Sequence, residues 1–467
     1  MMGSFVQLEK HGGSVALVDE AGRSVTYGEL AQNADELGAR LSGRSLVFLL
    51  CENNVESLTG YLGFLRARAV PFLISKNTRI DLFQSLLDKY KPEYIWYNSS
   101  LSLRISSGVR EFSLNDYILV KTNYVIDYNI HDDLALLLST SGSTGSPKLV
   151  KLSYRNLSSN ASSIAKYLAI SPKSKPITSL PMNYTFGLSV LNSHLLVGAT
   201  IVLTDRSLVD KGFWSLLKRE QVTTFSGVPY TYEILKRLNF ARMNLPSLRQ
   251  LTQAGGKLSI SLSREFAEIC AQKGIEFFVM YGQTEATARM SYLHPKYSIS
   301  KAGSIGVAIP GGEFTLMDDD GHIITQSERE GELVYKGENV SMGYADSCYD
   351  LGKGDENCGV LRTGDIAKRD NDGFYHIVGR KKRFVKIFGN RINLDEVEQL
   401  LKEGGHDCVC AGEDDKLRVY TTVADKTKEI ERYLIDHTEI NPSGFSVHYI
   451  EKIPRNEYGR ITYSLLT

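Results

Sequence analysis

Leu136-Leu-Leu-Ser-Thr-Ser-Gly-Ser-Thr-Gly-Ser-Pro-Lys148-Leu-Val-Lys-Leu152 joins two apolar runs by a loop of Ser, Thr and Gly that closes on Pro147-Lys148. Glycine lets a backbone approach an anion closely, and successive N–H groups and hydroxyls can surround phosphate oxygens. The spacing differs from the Gly-x4-Gly-Lys-Ser/Thr loop that opens a helix. The stretch therefore predicts a strand–loop–strand phosphate site, although its composition is also typical of a linker.

Length and composition indicate a globular protein of more than one domain. The chain has 467 residues, of which 42% are hydrophobic and 23% charged, as expected for a globular protein with two or more cores. Lys+Arg and Asp+Glu both number 54, so the charge balance gives no sign of a nucleic-acid surface. Six scattered cysteines do not form a disulfide framework. No apolar stretch suits a signal peptide or a membrane span, so we expect a cytoplasmic protein.

Strand-like and helix-like segments alternate in the first two thirds of the chain. The predicted order is strand, helix, strand, twice: 45–50, 56–68 and 69–74, then 198–203, 213–220 and 223–226. This alternation predicts an α/β architecture with largely parallel sheets. After about Ala308, short strands separated by Asp/Gly turns follow. Asp318-Asp-Asp-Gly321 is one such turn rather than a calcium loop, because Arg329 stands at the twelfth position.

The last part of the chain has the signals of a small separate domain. The basic run Gly379–Lys386 precedes a predicted helix, 393–401, with Leu394, Val397 and Leu401 on one face. A basic run alone usually marks a solvated face. We place a domain boundary between Lys381 and Lys382.

Several further motifs follow one another along the chain. They are Thr140–Lys148, Ala254-Gly-Gly256, Tyr281-Gly-Gln-Thr-Glu285, Gly331–Gly337 with Gly343-Tyr344, Arg362-Thr-Gly-Asp365, Gly379–Ile392 and Glu396-Val-Glu398. In these motifs and their order the chain resembles the adenylate-forming (AMP-binding) superfamily, which includes acyl- and aryl-CoA ligases, amino-acid-activating domains of peptide synthetases, and luciferases. The likeness runs nearly end to end, and a set of ordered motifs is far more specific than any single motif.

The resemblance implies a fold and a division of the chain. Residues 1–381 would form a large AMP-binding domain of parallel sheets flanked by helices, with a small β-barrel-like subdomain. Residues 382–467 would form a small, mobile α+β domain that rotates about a hinge at Lys382 between two reaction steps.

The resemblance also implies an enzyme, an AMP-forming acid–thiol ligase of the acyl-CoA synthetase type. A carboxylate attacks the α-phosphate of ATP, with Mg²⁺ offsetting charge, and gives an acyl-adenylate and pyrophosphate. A thiol, from coenzyme A or from a phosphopantetheine, then displaces AMP. Two alternatives stay open: an enzyme that loads an acyl carrier protein, and a pseudoenzyme that only binds nucleotide or acyl-adenylate.

Motif matching assigns the nucleotide-side residues, each of which also has an ordinary structural explanation. Tyr281 would stack on adenine, whereas Asp365 and Arg380 would hold the ribose. Glu285 and Thr140 would hold Mg²⁺, and Lys148 would face the β- and γ-phosphates. The remaining nucleotide contacts are predicted at Ser141, Gly142, Ser143, Thr144, Gly145, Ala254, Gly255, Gly256, Gly282, Gln283 and Thr284.

One residue departs from the family's pattern at the C-terminal motif. Arg460 stands where the family places a lysine that contacts the substrate carboxylate and the α-phosphate. Arginine keeps the charge but is a planar fork rather than a compact donor. We expect a working enzyme with Arg460, Lys148, Glu285 and Thr140 as its catalytic groups, because the other nucleotide motifs are intact.

A second departure concerns the acid. Tyr184 stands where many acyl- and aryl-CoA ligases have His, and the segment lacks the aspartate with which amino-acid-activating domains hold an ammonium group. We therefore predict a simple carboxylic acid as the small-molecule substrate. The predicted pocket residues, any of which also suits plain packing, are Asn183, Tyr184, Phe186, Ser226, Gly227, Gln253 and Met280.

Overall fold

The computed structural model describes residues 4–101, 108–139, 148–388, 390–438, 440–456 and 461–466. They form an α/β fold in which helices cover several sheets. The helices are Tyr27–Gly38, Val55–Arg66, Ile80–Tyr90, Tyr154–Tyr167, Thr185–Leu196, Lys211–Arg219, Pro229–Arg237, Ile260–Lys273, Leu394–Glu403 and Thr427–His437. Among these residues, no helix has both the length and the apolar character that crossing a membrane requires.

An eight-stranded sheet forms the first core and contains both strands that flank the predicted phosphate loop. Its strands, in spatial order, are Gly343–Ala345, Leu149–Ser153, Leu134–Ser139, Val70–Ser75, Leu46–Cys51, Tyr94–Asn98, Tyr117–Thr122 and Gly108–Leu114. The central pairs are parallel, whereas the pairs at both edges are antiparallel. Leu46–Cys51 is buried along its whole length, as expected for a parallel strand covered on both faces. The α/β prediction is confirmed, and the edge strands make the sheet mixed.

A second sheet begins with three parallel strands and carries the motifs of the predicted nucleotide site. The strands are Thr224–Gly227, Gln250–Gln253, Glu276–Tyr281, Ser291–Leu293 and Val307–Ala308, and each of the last two is antiparallel to the strand before it. A smaller sheet consists of Ile201–Val202, Val15–Val18 and Ser24–Thr26, in that spatial order.

A third sheet of five antiparallel strands follows, where the sequence predicted short strands and Asp/Gly turns. Its strands are Ile323–Ile324, Gly312–Met317, Glu330–Gly337, Val360–Arg369 and Tyr375–Arg380. In the first turn the Asp318 carboxylate accepts backbone N–H groups of Asp320 and His322, at 3.1 and 2.8 Å. The prediction of a hairpin turn at Asp318–Gly321 is confirmed.

The residues after Lys381 have a hydrophobic core of their own. A hairpin of Phe384–Ile387 and Asn390–Asn393 precedes a three-stranded sheet of Cys408–Glu413, Lys416–Thr421 and Phe445–Tyr449. The predicted helix is confirmed at Leu394–Glu403, with Leu394, Val397 and Leu401 buried. Cys408 and Cys410 are free, buried thiols in the same core. This α+β arrangement fits the predicted small domain, while the hinge at Lys382 stays a prediction.

Candidate active site

The three parallel strands of the second sheet bring separate motifs to one edge. Gly227, Gln253 and Val279 stand side by side in the register of these strands. The segments Ala254–Gly256 and Gly282–Glu285 follow directly beyond the strand ends. In open α/β sheets, ligands bind outside the carboxyl ends of the strands. The predicted adenine-side and magnesium motifs are therefore neighbours at the edge where a ligand is expected.

A buried carboxylate, Asp365, lies at the centre of the predicted ribose site. The Tyr281 hydroxyl donates to its Oδ2 at 2.5 Å, and Gln283 Nε2 donates to the same oxygen at 2.9 Å. Arg380 Nε lies 3.4 Å from the other oxygen, Oδ1. Four residues that the motifs assigned to the nucleotide thus form one connected polar cluster.

Strand pairing explains why these distant residues meet. Asp365 lies on Val360–Arg369 and is directly opposite Arg380 on the neighbouring antiparallel strand. Gln283 also donates to the backbone carbonyl of Thr363, at 3.0 Å. This bond attaches the end of the parallel sheet to the antiparallel sheet.

The protein environment changes the proton affinity of both central groups. Asp365 is only 4% exposed, and its burial raises the pKa above the ordinary value, against the opposing effects of Arg380, Tyr281 and Gln283. The pKa of Tyr281 also lies well above its ordinary value, first because of burial and then because of Asp365. The tyrosine therefore stays a neutral donor, and the carboxylate has lone pairs left for further hydroxyl donors.

Glu285 lies beside this cluster on a short 3₁₀ turn, Thr284–Ala286. The Tyr344 hydroxyl donates to its Oε1 at 2.7 Å, and the Thr284 and Thr185 hydroxyls are 2.8 Å apart. Within the described ranges Glu285 forms no ion pair, so its carboxylate has no described counter-charge. A carboxylate whose described side-chain partner is one neutral hydroxyl fits a hard cation such as Mg²⁺.

Two glycines allow the chain to approach itself closely here. A Cβ atom on Gly282 would lie 1.6 Å from the carbonyl oxygen of Ala288, so only glycine fits. Gly255 has a positive φ of 85°, and a Cβ there would lie 2.4 Å from the Tyr184 hydroxyl. Tyr184, predicted for the acid pocket, therefore packs directly against the predicted adenine segment.

The predicted pocket residues are all buried next to this edge. Tyr184, Phe186 and Met280 share one hydrophobic cluster with Ala254. Ser226 Oγ lies 2.8 Å from Thr252 Oγ1, whereas Gln253 donates to the Gly256 carbonyl at 2.9 Å. The side chains that the sequence assigned to the acid thus surround the same edge as the nucleotide motifs.

The strands on either side of the predicted phosphate loop pair in an antiparallel hairpin, with Ser139 opposite Leu149. Lys148 is exposed, and its Nζ lies 3.2 Å from the Asp346 carboxylate. The other predicted loop residues, Thr140, Ser141, Gly142, Ser143, Thr144 and Gly145, and the predicted catalytic Arg460, lie outside the described residues.

Reasoning from the sequence missed the contacts of three residues. Tyr344 belongs to the motif Gly343-Tyr344, but no sequence pattern predicted its hydrogen bond to Glu285. No sequence pattern predicted the contact between Thr185 and Thr284 either. Arg289 contacts both Phe186 and Met280 from a fully buried position. The available signal for Arg289 was a lone arginine within the otherwise uncharged stretch Ala286–Leu293.

Comparison with known proteins agrees with this geometry. The model of the AMP-binding enzyme family matches residues 5–345. The 2-succinylbenzoate–CoA ligase of Bacillus subtilis is 27% identical over 406 residues, covering 83% of this chain and 79% of the relative. The oxalate–CoA ligase of Arabidopsis thaliana is 30% identical over 379 residues, covering 76% and 73%.

Solved structures show the same fold. An O-succinylbenzoate coenzyme A synthetase from Bacillus subtilis, in complex with AMP, aligns with a TM-score of 0.79 at 23% identity, covering 100% of this chain and 98% of that one. The predicted class of enzyme, an AMP-forming ligase of carboxylic acids, is confirmed, and the chain belongs to the AMP-binding enzyme family.

Proposed function

We propose that this ligase activates a carboxylic acid with ATP and transfers the acyl group to the thiol of coenzyme A. The observation that carries the proposal is the cluster of Asp365, Tyr281, Gln283 and Arg380. A buried carboxylate beside a guanidinium suits the two vicinal hydroxyls of a ribose, since the carboxylate accepts both and the guanidinium donates. In this proposal Tyr281 lies against the adenine ring.

In the first step the acid's carboxylate oxygen attacks the α-phosphate, a P–O bond forms, and pyrophosphate leaves. Lys148 and Arg460 supply positive charge near the phosphates, where negative charge develops. Glu285 together with Thr140 would hold Mg²⁺, which offsets charge on the phosphate oxygens when bound. In the second step a thiolate attacks the acyl carbonyl, and AMP leaves.

Coenzyme A is the favoured acceptor because the relatives described above are named as ligases that use it. A carrier protein with a phosphopantetheine arm presents the same thiol and is the second candidate acceptor. Thioester formation should be measured with coenzyme A and with a phosphopantetheinylated carrier protein. A higher kcat/KM with coenzyme A supports the proposal, whereas turnover with the carrier protein alone contradicts it.

The substitution at position 460 motivates the first experiment. Pyrophosphate release with Mg·ATP should be measured across aliphatic, aromatic and amino acids, for the natural chain and for Arg460→Lys. We expect the natural chain to turn over a carboxylic acid without an α-amino group. Turnover by Arg460→Lys alone would mean that the arginine blocks adenylation. No turnover by either protein, with AMP binding demonstrated, would favour the pseudoenzyme.

A further inference from the structure

Arg289 is a buried cation whose described partners are all neutral. The residue is 2% exposed. Its guanidinium donates to Ser189 Oγ at 3.1 Å, and to Tyr167 Oη and Met280 Sδ at 3.4 Å each. The guanidinium carbon also lies 4.9 Å from the centre of the Phe186 ring. Among the described residues, no Asp or Glu forms an ion pair with it.

Two other cations in the interior of the described structure are paired with carboxylates. Arg383, with a side chain 12% exposed, contacts carboxylates of both Asp395 and Glu398. Lys151, with a side chain that is fully buried, contacts Glu356 at 3.0 Å. An arginine stays protonated in a protein interior, and an unpaired buried charge is costly. Arg289 therefore differs from these cations in lacking a described counter-charge.

The neighbouring histidine adds no further positive charge. Nδ1 of His194 lies 2.8 Å from the Val190 carbonyl, while Nε2 is buried without a hydrogen-bond partner among the described residues. Burial, and then the proximity of Arg289, lowers the pKa of His194 to about 4. A neutral imidazole leaves the region with the positive charge of Arg289.

The position of Arg289 connects this charge to the predicted acid pocket. Met280 directly precedes Tyr281 at the end of its strand, and Phe186 lies in the first turn of the helix Thr185–Leu196. Both residues were predicted to line the pocket, and both contact the guanidinium. The cation thus lies in contact with side chains that would surround the acid.

We propose that Arg289 binds a second carboxylate on the substrate, so that the acid activated by this enzyme is a dicarboxylic acid. This inference rests on the proposed ligase function. One carboxylate reacts at the nucleotide, and the other forms a charge-assisted pair with the guanidinium at the far end of the pocket. An arginine in a water-excluded site selects strongly for such a group, because the uncharged analogue leaves it unpaired.

The test compares matched pairs of acids in ATP–pyrophosphate exchange. Each aliphatic or aromatic dicarboxylic acid is measured beside its monomethyl ester, which has the same chain without the second charge. We expect the natural chain to prefer the best diacid by ~100-fold in kcat/KM. Arg289→Met should remove that preference, and Arg289→Lys should restore part of it. Arg155→Met, at an arginine whose side chain is 73% exposed, is the control and should change neither value.

The outcomes separate the two proposals. Exchange with monocarboxylic acids or monoesters at least as fast as with every diacid would overturn the role of Arg289 but leave the ligase function standing. An equal preference in Arg289→Met and the natural chain would do the same. The paired acids decide the matter in the natural chain even if Arg289→Met does not fold. No exchange with any acid, with AMP binding intact, would overturn the ligase function and this inference with it.

Discussion

Asp365 is the residue on which the nucleotide side of the site depends most. It accepts hydrogen bonds from Tyr281 and Gln283 and contacts Arg380, all from a position that is 4% exposed. We expect Asp365→Asn to weaken AMP binding about 10- to 100-fold, because an amide loses the charge and one acceptor. Calorimetric titration with AMP measures this directly.

The matched control is Asp372→Asn, at an exposed aspartate on the turn that follows the same strand. It should leave AMP affinity unchanged. Wild-type affinity in Asp365→Asn would exclude the proposed ribose contact.

At this scale the sequence predicted the identities of the clustered residues better than their contacts. Tyr281, Gln283, Asp365 and Arg380 were all assigned by motif. The bonds of Tyr281 and Gln283 to Asp365 join positions 84 and 82 apart, and no local pattern contains such a distance. Arg289 was not predicted at all. The inference about it depends on the lack of a described carboxylate near it in the fold, which its neighbours in sequence do not reveal.

Among the structural elements, the hairpin that carries Asp365 and Arg380 has a carboxylate in its turn, Asp370, that binds a lysine and a backbone N–H group. Asp370 accepts from the Phe374 backbone at 2.9 Å and from Lys301 at 2.8 Å. Burial alone would raise its pKa, but these bonds outweigh burial and lower the pKa from 3.8 to about 2. At pH values above the pKa that Asp370 has in the unfolded chain, its carboxylate therefore stabilises the fold. This contribution to stability is lost as the pH falls through about 2.

We expect Asp370→Asn to lower the free energy of unfolding by about 2 kcal/mol near neutral pH, because the amide keeps the turn's acceptor but not the charge. The difference from the natural chain should shrink as the pH falls below about 4. Urea unfolding at neutral and acid pH measures it. A difference that is constant with pH would contradict the electrostatic explanation.

A network of Arg383, Glu398 and Tyr463 attaches the C-terminal segment to the small domain. The Arg383 guanidinium carbon lies 3.7 Å from the centre of the Tyr463 ring, and the Tyr463 hydroxyl donates to Glu398 at 3.1 Å. Glu398 also accepts from the Cys410 backbone at 2.7 Å. This network fixes residues just beyond Arg460 to the core of the small domain.

Arg383 and Glu398 form an ion pair within this network. Removing one of the two charges should lower the free energy of unfolding more than replacing both. We expect Arg383→Met to destabilise the protein by about 3–5 kcal/mol, because Glu398 would be left buried without its cation. Arg383→Met combined with Glu398→Met should recover most of that loss. A double-mutant cycle in urea measures the coupling, and simple additivity would contradict it.

Elements with strong apolar patterns were predicted within a few residues. Leu46–Cys51, Val55–Arg66 and Leu394–Glu403 are examples, because their buried faces follow from their own sequences. The edge strand Gly108–Leu114 was missed, since it is mostly exposed and owes its conformation to pairing with Tyr117–Thr122. Pairing partners far along the chain determine such strands, and a local pattern does not contain them.

At the scale of the whole molecule, we propose that the small domain turns between the two steps of the reaction. Lys382 lies in the short turn Lys381–Arg383 that joins the antiparallel sheet to the small domain. We expect Lys382→Pro to preserve acid-dependent ATP–pyrophosphate exchange but to slow thioester formation by ~100-fold, because proline fixes the φ angle that the rotation would change.

Lys382→Ala is the control, since alanine removes the side chain but keeps the backbone free. It should support both steps. Equal loss of both steps in Lys382→Pro would indicate a damaged fold, and normal thioester formation would exclude Lys382 as the hinge.

The turn between Gly282 and Arg289 has a practical consequence for redesign. Gly282 tolerates no side chain, Thr287 adopts a left-handed φ of 65°, and Asn339 donates to the carbonyls of both Ala286 and Arg289. One closely constrained segment thus carries both Glu285 and Arg289. If Arg289 has the role proposed for it, acid preference is best exchanged by transplanting the whole segment with Asn339, because a graft cut inside the segment would misplace Glu285 and Arg289.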